Sequence, residues 1–401
     1  MRFHVLGIGP VGSLISYYLR SALPSPNSIT IIHRTRRQAR EHGSRIRVER
    51  DGVVTSTDGF KREGFDTRAK KIWDRTRGEE IVRKGERDSD PIESLFVATR
   101  AHHVRPAIQR LLPRLSRTST ITLLHNGMGV YEQLVREVFR NPEHRPHFIL
   151  AANSHGSWFK SLRTAVHARV GEILFSVVAD PGGRQFEAAL SDESVPRPQR
   201  SLRLDDISDP PNDPSFSRYR SLRNTVAVLC SLGDTLHTSW MPMAQIQITL
   251  RRRLVVHSVI NPVTAILGCR NGDVFTTTAA RRLMYRICQE AADVFAEQIK
   301  SDAKAWLGTL AGPNTNIPVG RIPYALTKDS LIEECLRVAE YTKGNISPML
   351  MDIRRGRLTE VDFHNGYLLN LGTTYKVPMP ATATLLNMVK MRSTIPLEQI
   401  F

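Results

Sequence analysis

Three glycines near the start of the chain have the spacing that phosphate chemistry needs. Gly7-x-Gly9-x-x-Gly12 overlaps the end of the apolar run Phe3-His4-Val5-Leu6-Gly7-Ile8 and leads into the helical pattern Ser13–Leu19. In a dinucleotide fingerprint the first glycine permits a tight turn, and the second lets the backbone approach a pyrophosphate. The third lets the helix pack on the strand. The N-terminus of that helix adds free N–H groups and a partial positive charge. Further on, a second apolar strand ends in Ile32-His33-Arg34-Thr35-Arg36-Arg37. An NAD site usually places a carboxylate there to accept the ribose hydroxyls. Guanidiniums suit a 2′-phosphate instead, so NADP(H) is the expected cofactor, with Arg34 as its phosphate ligand.

Residues of this kind need a β–α–β frame to hold them. The first strand, the glycine turn, the helix and the strand Ile29–Ile32 supply one. A strand over Leu95–Thr99, a helix over Val104–Leu115 and a strand over Thr120–Leu124 extend it into a parallel α/β sheet. The charged stretch at about 77–90 reads as a solvated insertion. The Pro-rich segment at about 182–216 reads as a loop or linker that marks a boundary. After Tyr219 the periodicity is helical, over Leu222–Leu232, Met243–Leu267, Thr278–Lys300, Ser330–Tyr341, Leu358–Lys376 and Ala381–Met391. The expected organisation is an NADP-binding Rossmann-like domain over 1–216 followed by an all-α domain over 217–401.

Composition narrows the classes. The 401 residues include 45 Arg and 11 Lys against 39 acidic residues, a formal charge of +17. A hydrophobic share of 41% excludes a wholly disordered chain. No apolar run reaches the length of about 18 residues that a membrane-spanning helix needs, so no integral membrane protein is expected. Cys230, Cys269, Cys288 and Cys335 show no CxxC spacing, which indicates neither a disulfide scaffold nor a metal module. A strand beginning at residue 3 leaves no room for a removable presequence, so the expected address is cytoplasmic, or mitochondrial through internal signals. The basic excess favours phosphate-bearing partners.

Four further motifs follow in order: Leu124-His125-Asn126-Gly127-Met128-Gly129, Val259-Ile260-Asn261-Pro262-Val263-Thr264-Ala265-Ile266, Ser347-Pro348-Met349-Leu350-Met351-Asp352-Ile353, and Thr359-Glu360-Val361-Asp362-Phe363-His364-Asn365-Gly366-Tyr367. With the glycine fingerprint they resemble the ketopantoate reductase (2-dehydropantoate 2-reductase) family. Arg145-Pro146-His147-Phe148 and Ser154-His155-Gly156 resemble its fungal branch. The resemblance implies a Rossmann domain joined to an all-α domain of the 6-phosphogluconate-dehydrogenase C-terminal type. It also implies an active site in the cleft between them, NADPH-dependent reduction of 2-dehydropantoate, and a homodimer formed through the helical domain.

Carried onto this sequence, the resemblance makes Asn126 the cofactor-side asparagine and Glu360 the substrate-site glutamate. Asn261 is the asparagine before the proline, and Arg100 stands where the family has a strand-end lysine. The family's proton-donating lysine and the asparagine one turn after it read Arg253 and His257 here. Spacings of four and eight put Arg253, His257 and Asn261 on one helix face. Arginine stabilises an oxyanion or binds a carboxylate but is a very poor acid, which leaves His257 as the candidate donor. Pro348 falls on the substrate serine and lacks both hydroxyl and N–H. These replacements leave two readings. One is an active reductase of 2-dehydropantoate or another small 2-oxo acid. The other is a non-catalytic family member, an RNA- or ribosome-associated factor such as those of mitochondrial translation, which docks RNA or a ribonucleoprotein through its arginine-rich surface.

Overall fold

The computed structural model describes the whole chain except residues 25, 42, 44, 66–69, 75–78, 84–89, 126, 162–163, 211, 311–321 and 396–401, with backbone alone for 70–74, 79–83 and 306–310. Its strands are β1 Arg2–Leu6, β2 Ser28–His33, β3 Ile46–Arg50, β4 Val53–Thr57, β5 Phe60–Gly64, β6 Lys70–Asp74, β7 Glu79–Arg83, β8 Ser94–Val97, β9 Thr120–Leu123, β10 His147–Asn153, β11 Gly156–Ser161, β12 Thr164–Arg169, β13 Ile173–Val177 and β14 Thr238–Trp240. The helices are α1 Pro10–Ala22, α2 Arg36–Glu41, α3 Ala101–Leu111, α4 Val130–Glu137, α5 Leu204–Ile207, α6 Phe216–Ser231, α7 Gly233–Leu236, α8 Met243–Leu267, α9 Thr278–Leu310, α10 Lys328–Tyr341, α11 Pro348–Arg354, α12 Asn365–Tyr375 and α13 Pro380–Thr394. By contacts the chain divides into two units: residues 1–125 with 131–246, and residues 126–130 with 247–401.

The first unit is the expected parallel sheet. Its order is β14-β13-β10-β9-β8-β1-β2-β5. Pairing is parallel from β10 through β9, β8, β1 and β2 to β5, and only β10 with β13 is antiparallel. The central strands are buried on both faces, as a sheet covered on both sides requires, and so read as continuous apolar runs. Nothing in the sequence announced a second sheet, β11-β12-β3-β4. It buries Ile46, Val48 and Ala165, and Ile46 and Val48 share a core cluster with Leu14, Ile15 and Leu19 of α1. The charged insertion includes β7, which pairs antiparallel with β6 just before the insertion.

The Pro-rich segment is not a linker, and the first unit runs past the expected boundary at 216 to Ile246. Arg184 forks onto Asp213 at 2.6 and 3.2 Å, donates to the carbonyl of Ile207, and lies 4.1 Å above the Tyr219 ring. Phe186 and Ile207 enter the sheet's core together with Leu222, Val226 and Leu229 of α6. Polar composition marked a loop correctly, but one guanidinium with three kinds of partner fixes it to the fold.

The second unit is the expected helical one. Its core gathers Leu254, Val255 and Val259 of α8, Met284, Cys288 and Phe295 of α9, Cys335 of α10 and Leu368 of α12. Leu358–Lys376 is not one helix. A short 3-10 turn over Val361–Phe363 precedes α12, which begins only at Asn365. Among the described residues no helix is long and apolar enough to cross a membrane.

Candidate functional site

Each unit carries its own set of candidate site residues. In the first, β1 ends at Leu6 and the chain turns at Gly7, whose φ of +95° only glycine adopts readily. A Cβ there would also come within 3.0 Å of the Thr99 backbone at the end of β8. Gly12 lies so close to the Gly7 carbonyl that any Cβ would collide with its oxygen. Gly9 faces open space, with nothing within 4 Å of a built Cβ. These are the three separate duties of a dinucleotide loop. The first α-helical bond runs from Ser13 N–H to the Gly9 carbonyl. The N–H groups of Val11 and Gly12 therefore stay outside the helical ladder, and Pro10 has none to offer. No acidic side chain in the first turn of α1 opposes an anion. The loop fits a pyrophosphate.

Beyond β2, Arg34 is exposed. Arg37 is tied to Glu41 at 2.7 Å on the surface of α2. A recess of about 210 Å³ next to this turn is lined by Arg36, Arg40, Arg62, Glu63 and Gly64. Gly64 lets β5 pack tightly against this turn, because a side chain there would strike the backbone of Thr35 and Arg36. Arg62 Nη1 lies 3.0 Å from Nε2 of the buried His33. Neither Arg62 nor Gly64 had a sequence signal, since β5 carries no motif and only its pairing with β2 brings it here. Arg100 is the half-buried N-cap residue of α3, next to the Thr99 that abuts Gly7.

The expected asparagine, Asn126, lies outside the described residues. Its motif continues in the second unit. Met128 N–H donates to the Phe363 carbonyl, 3.1 Å away. Gly129 has φ +88°, and a Cβ there would come 2.7 Å from the Tyr367 ring.

On α8 the second unit displays Arg253, His257 and Asn261 at one-turn spacing, as expected. Asn261 is buried, and its Nδ2 lies 3.2 Å from His257 Nδ1. An amide nitrogen only donates, so the neutral ring of His257 carries its proton on Nε2. His257 stacks on His364 with ring centroids 5.3 Å apart at 20°. Burial pushes the His257 pKa down to about 3. The positive fields of His364 and Arg253 add to that effect, and Glu360 opposes it. Arg253, Asn261, Glu360 and His364 thus all act on His257, and His364 is the one that sequence reasoning passed over inside a motif it had quoted.

The serine motif resolves as architecture. Ser347 is fully buried and caps α11, accepting from Leu350 N–H at 3.1 Å and from the Thr264 hydroxyl at 2.6 Å. Pro348 sits at the first helical position, where its missing N–H is harmless. The one hydroxyl of this pair is thus engaged within the fold.

Comparison with known proteins gives the same partition. Residues 3–180 match the family profile described as ketopantoate reductase PanE/ApbA, and residues 245–393 match that of the ketopantoate reductase PanE/ApbA C terminal. The probable 2-dehydropantoate 2-reductase of Schizosaccharomyces pombe is 22% identical over 97% of this chain and 95% of its own. The 2-dehydropantoate 2-reductase of Yersinia pestis is 26% identical over 75% of each chain. Among solved structures, a D-mandelate dehydrogenase with NADH and anilino(oxo)acetate superposes with a TM-score of 0.65 at 15% identity, covering 98% of both chains. A probable 2-dehydropantoate 2-reductase from Bacillus subtilis gives 0.56 at 20% identity, over 98% of this chain and 100% of the other.

Proposed function

The chain belongs to the ketopantoate reductase family, and from that membership we propose that it reduces a small 2-oxo acid, 2-dehydropantoate or a relative, with NADPH. The observation that carries the reading is the α8 face, where a guanidinium, an imidazole and an amide stand one turn apart beside Glu360. An anionic keto acid calls for such a set: fixed positive charge for the carboxylate or the forming alkoxide, and neutral donors for its oxygens.

For the cofactor, Gly7, Gly9, Gly12 and the start of α1 would take the pyrophosphate. Arg34, with the recess arginines Arg36, Arg40 and Arg62, supports a 2′-phosphate and hence NADPH over NADH. Arg100 and Asn126 are assigned to the cofactor's reactive end. A bound reduced nicotinamide supplies the hydride. Arg253 then bears the charge that develops on the carbonyl oxygen, and Asn261 and Glu360 orient the substrate. His257 is neutral near pH 7, because its pKa lies at about 3. It serves as an Nε2–H hydrogen-bond donor to the oxygen, and the proton that completes the alcohol comes from solvent.

The test is direct. Purified protein is mixed with ketopantoate and either NADPH or NADH, and the loss of reduced-nicotinamide absorbance is followed. Turnover faster with NADPH is expected. No turnover, and none gained by Arg253→Lys, would overturn the reading.

A further inference from the structure

Pro262 lies inside α8 and has no N–H, so the carbonyl of Ser258, four residues earlier, loses its helical donor. A carbonyl left bare in a core is costly, and the turn that holds it is free to open. In this structure another donor reaches it. The side-chain amide of Asn365, the first residue of α12, donates to the Ser258 carbonyl at 2.9 Å. Ser258 and Asn365 are both fully buried. Asn365 Oδ1 has no hydrogen-bond partner among the described residues, so this single donation is the whole polar use of that side chain. The turn concerned holds the proposed chemistry: His257 precedes Ser258, Asn261 precedes Pro262, and the Asn261 amide reaches back to the His257 ring. His364, next to Asn365 in the chain, stacks on that same ring.

We propose that Asn365 is a positioning residue, whose amide replaces the N–H that Pro262 lacks and so holds the His257–Asn261 turn of α8 in one geometry. His364 completes the clamp by fixing the ring plane of His257. Two consecutive residues at the start of α12, its N-cap His364 and Asn365, thus grip two consecutive residues of α8, one through a ring and one through a backbone carbonyl. The inference rests on the reading of His257 and Asn261 as reaction-site residues.

A double-mutant cycle of Asn365→Leu with Pro262→Ala tests it in the full-length protein. An alanine at position 262 restores the backbone donor to Ser258, so the amide of Asn365 becomes redundant. In the native background Asn365→Leu is expected to lower kcat roughly tenfold through misplacement of the donor groups, with NADPH affinity unchanged. In the Pro262→Ala background the same change is expected to cost less than about threefold, a non-additivity typical of groups that share a partner. Histidine-labelled NMR at pH 7 supplies a readout independent of turnover: the His257 ring resonances move in Asn365→Leu and return toward their native positions in the double variant. Additive effects in kcat and in melting temperature overturn the shared carbonyl. Coupled melting temperatures with unmoved His257 resonances overturn the positioning role. If the native protein shows no turnover, the reading of function fails while the melting cycle and the His257 resonances still decide this inference.

Discussion

In the first unit the groups proposed for the pyrophosphate belong to the main chain: the turn at Gly7, the open face of Gly9 and the N–H groups at the start of α1. In the second unit they are side chains standing on helices, namely Arg253, His257 and Asn261 on α8, with Glu360 and His364 on the loop before α12. The difference governs how each half tolerates change. A backbone site depends on the absence of a Cβ at a few places and on little else. A side-chain site keeps its frame while its chemistry is exchanged. Here the frame of α8 and α11 stands, and Arg253, His257 and Pro348 are the positions that the sequence resemblance matches to the family's lysine, asparagine and serine.

The sharpest way to break this contrast is to add side chains to the backbone site. Gly12→Val drives carbon into the Gly7 carbonyl and is expected to weaken NADPH binding more than about 100-fold, along with a loss of stability. Gly9→Ala separates the two effects. Its Cβ meets nothing within 4 Å and its φ of −65° suits alanine, so the melting temperature should not move. The methyl nevertheless stands where a pyrophosphate must approach, and affinity is expected to fall about tenfold or more. Fluorescence titration with NADPH and a thermal melt check both; native affinity in Gly9→Ala would sink the backbone reading.

The side-chain half is probed at Arg253. Arg253→Ala is expected to lower kcat about 100-fold, the usual cost of removing a group that stabilises an oxyanion, and to leave NADPH affinity intact. Arg253→Lys should retain most of the rate or exceed it, because an ammonium both carries the charge and yields a proton. Steady-state kinetics with a separate cofactor titration decides, and an equal fall of NADPH affinity in the alanine variant contradicts the division of labour.

Acid separates the units by stability. Burial holds His4, His147 and His167 of the first unit at a pKa of about 4, with His155 also lowered, and in the second unit it holds His257 at about 3. An unfolded imidazole titrates near 6.5, so between these values the unfolded chain binds more protons than the folded one. The stabilisation is complete above about pH 6.5 and is lost as pH falls toward 4, by at most about 1.4 kcal/mol per pH unit for each fully buried ring. The first unit is therefore expected to unfold first on acidification. Hydrogen exchange at pH 7 and pH 5 reports it, and earlier loss of protection in α8 and α9 would reverse the assignment.

How much of this was legible in the sequence follows the same divide. The glycine fingerprint was readable because each glycine has a backbone reason, and the βαβ frame because buried parallel strands leave apolar runs. On α8 the family resemblance picked out Arg253, His257 and Asn261, and spacings of four and eight placed them on one helix face. What stayed hidden depends on long-range pairing. Arg62 reaches His33 only because β5 adds to β2, and Asn365 meets Ser258 across 107 positions. Part of the basic excess was misleading as a sign of partners. Arg114 is paired with Glu63 at 2.6 Å, Arg184 with Asp213, and Arg252 with Glu334, Ser330 and the Ala325 carbonyl. These guanidiniums are internal clamps, and composition cannot tell a clamp from a docking surface.

The mildest intervention asks whether frame and chemistry come apart at a single residue. Pro348 begins α11 at the first helical position, and Ser347, fixed by Thr264 and by the N–H of Leu350, already caps the helix. The frame at this point therefore does not depend on proline. Pro348→Ser puts a hydroxyl at the position that the sequence resemblance matches to the family's substrate serine, at a stability cost of under about 1 kcal/mol, since a first-turn proline contributes mainly a preset φ. If the second unit has kept its frame and exchanged only its side chains, the new hydroxyl adds one hydrogen bond to the substrate, and the KM for the 2-oxo acid falls about threefold to tenfold with kcat little changed. A large drop in melting temperature would mean that Pro348 serves the fold. An unchanged KM in a well-folded variant would mean that the turn no longer faces the substrate, and that the exchange in this half has reached beyond side chains to the path of the backbone itself.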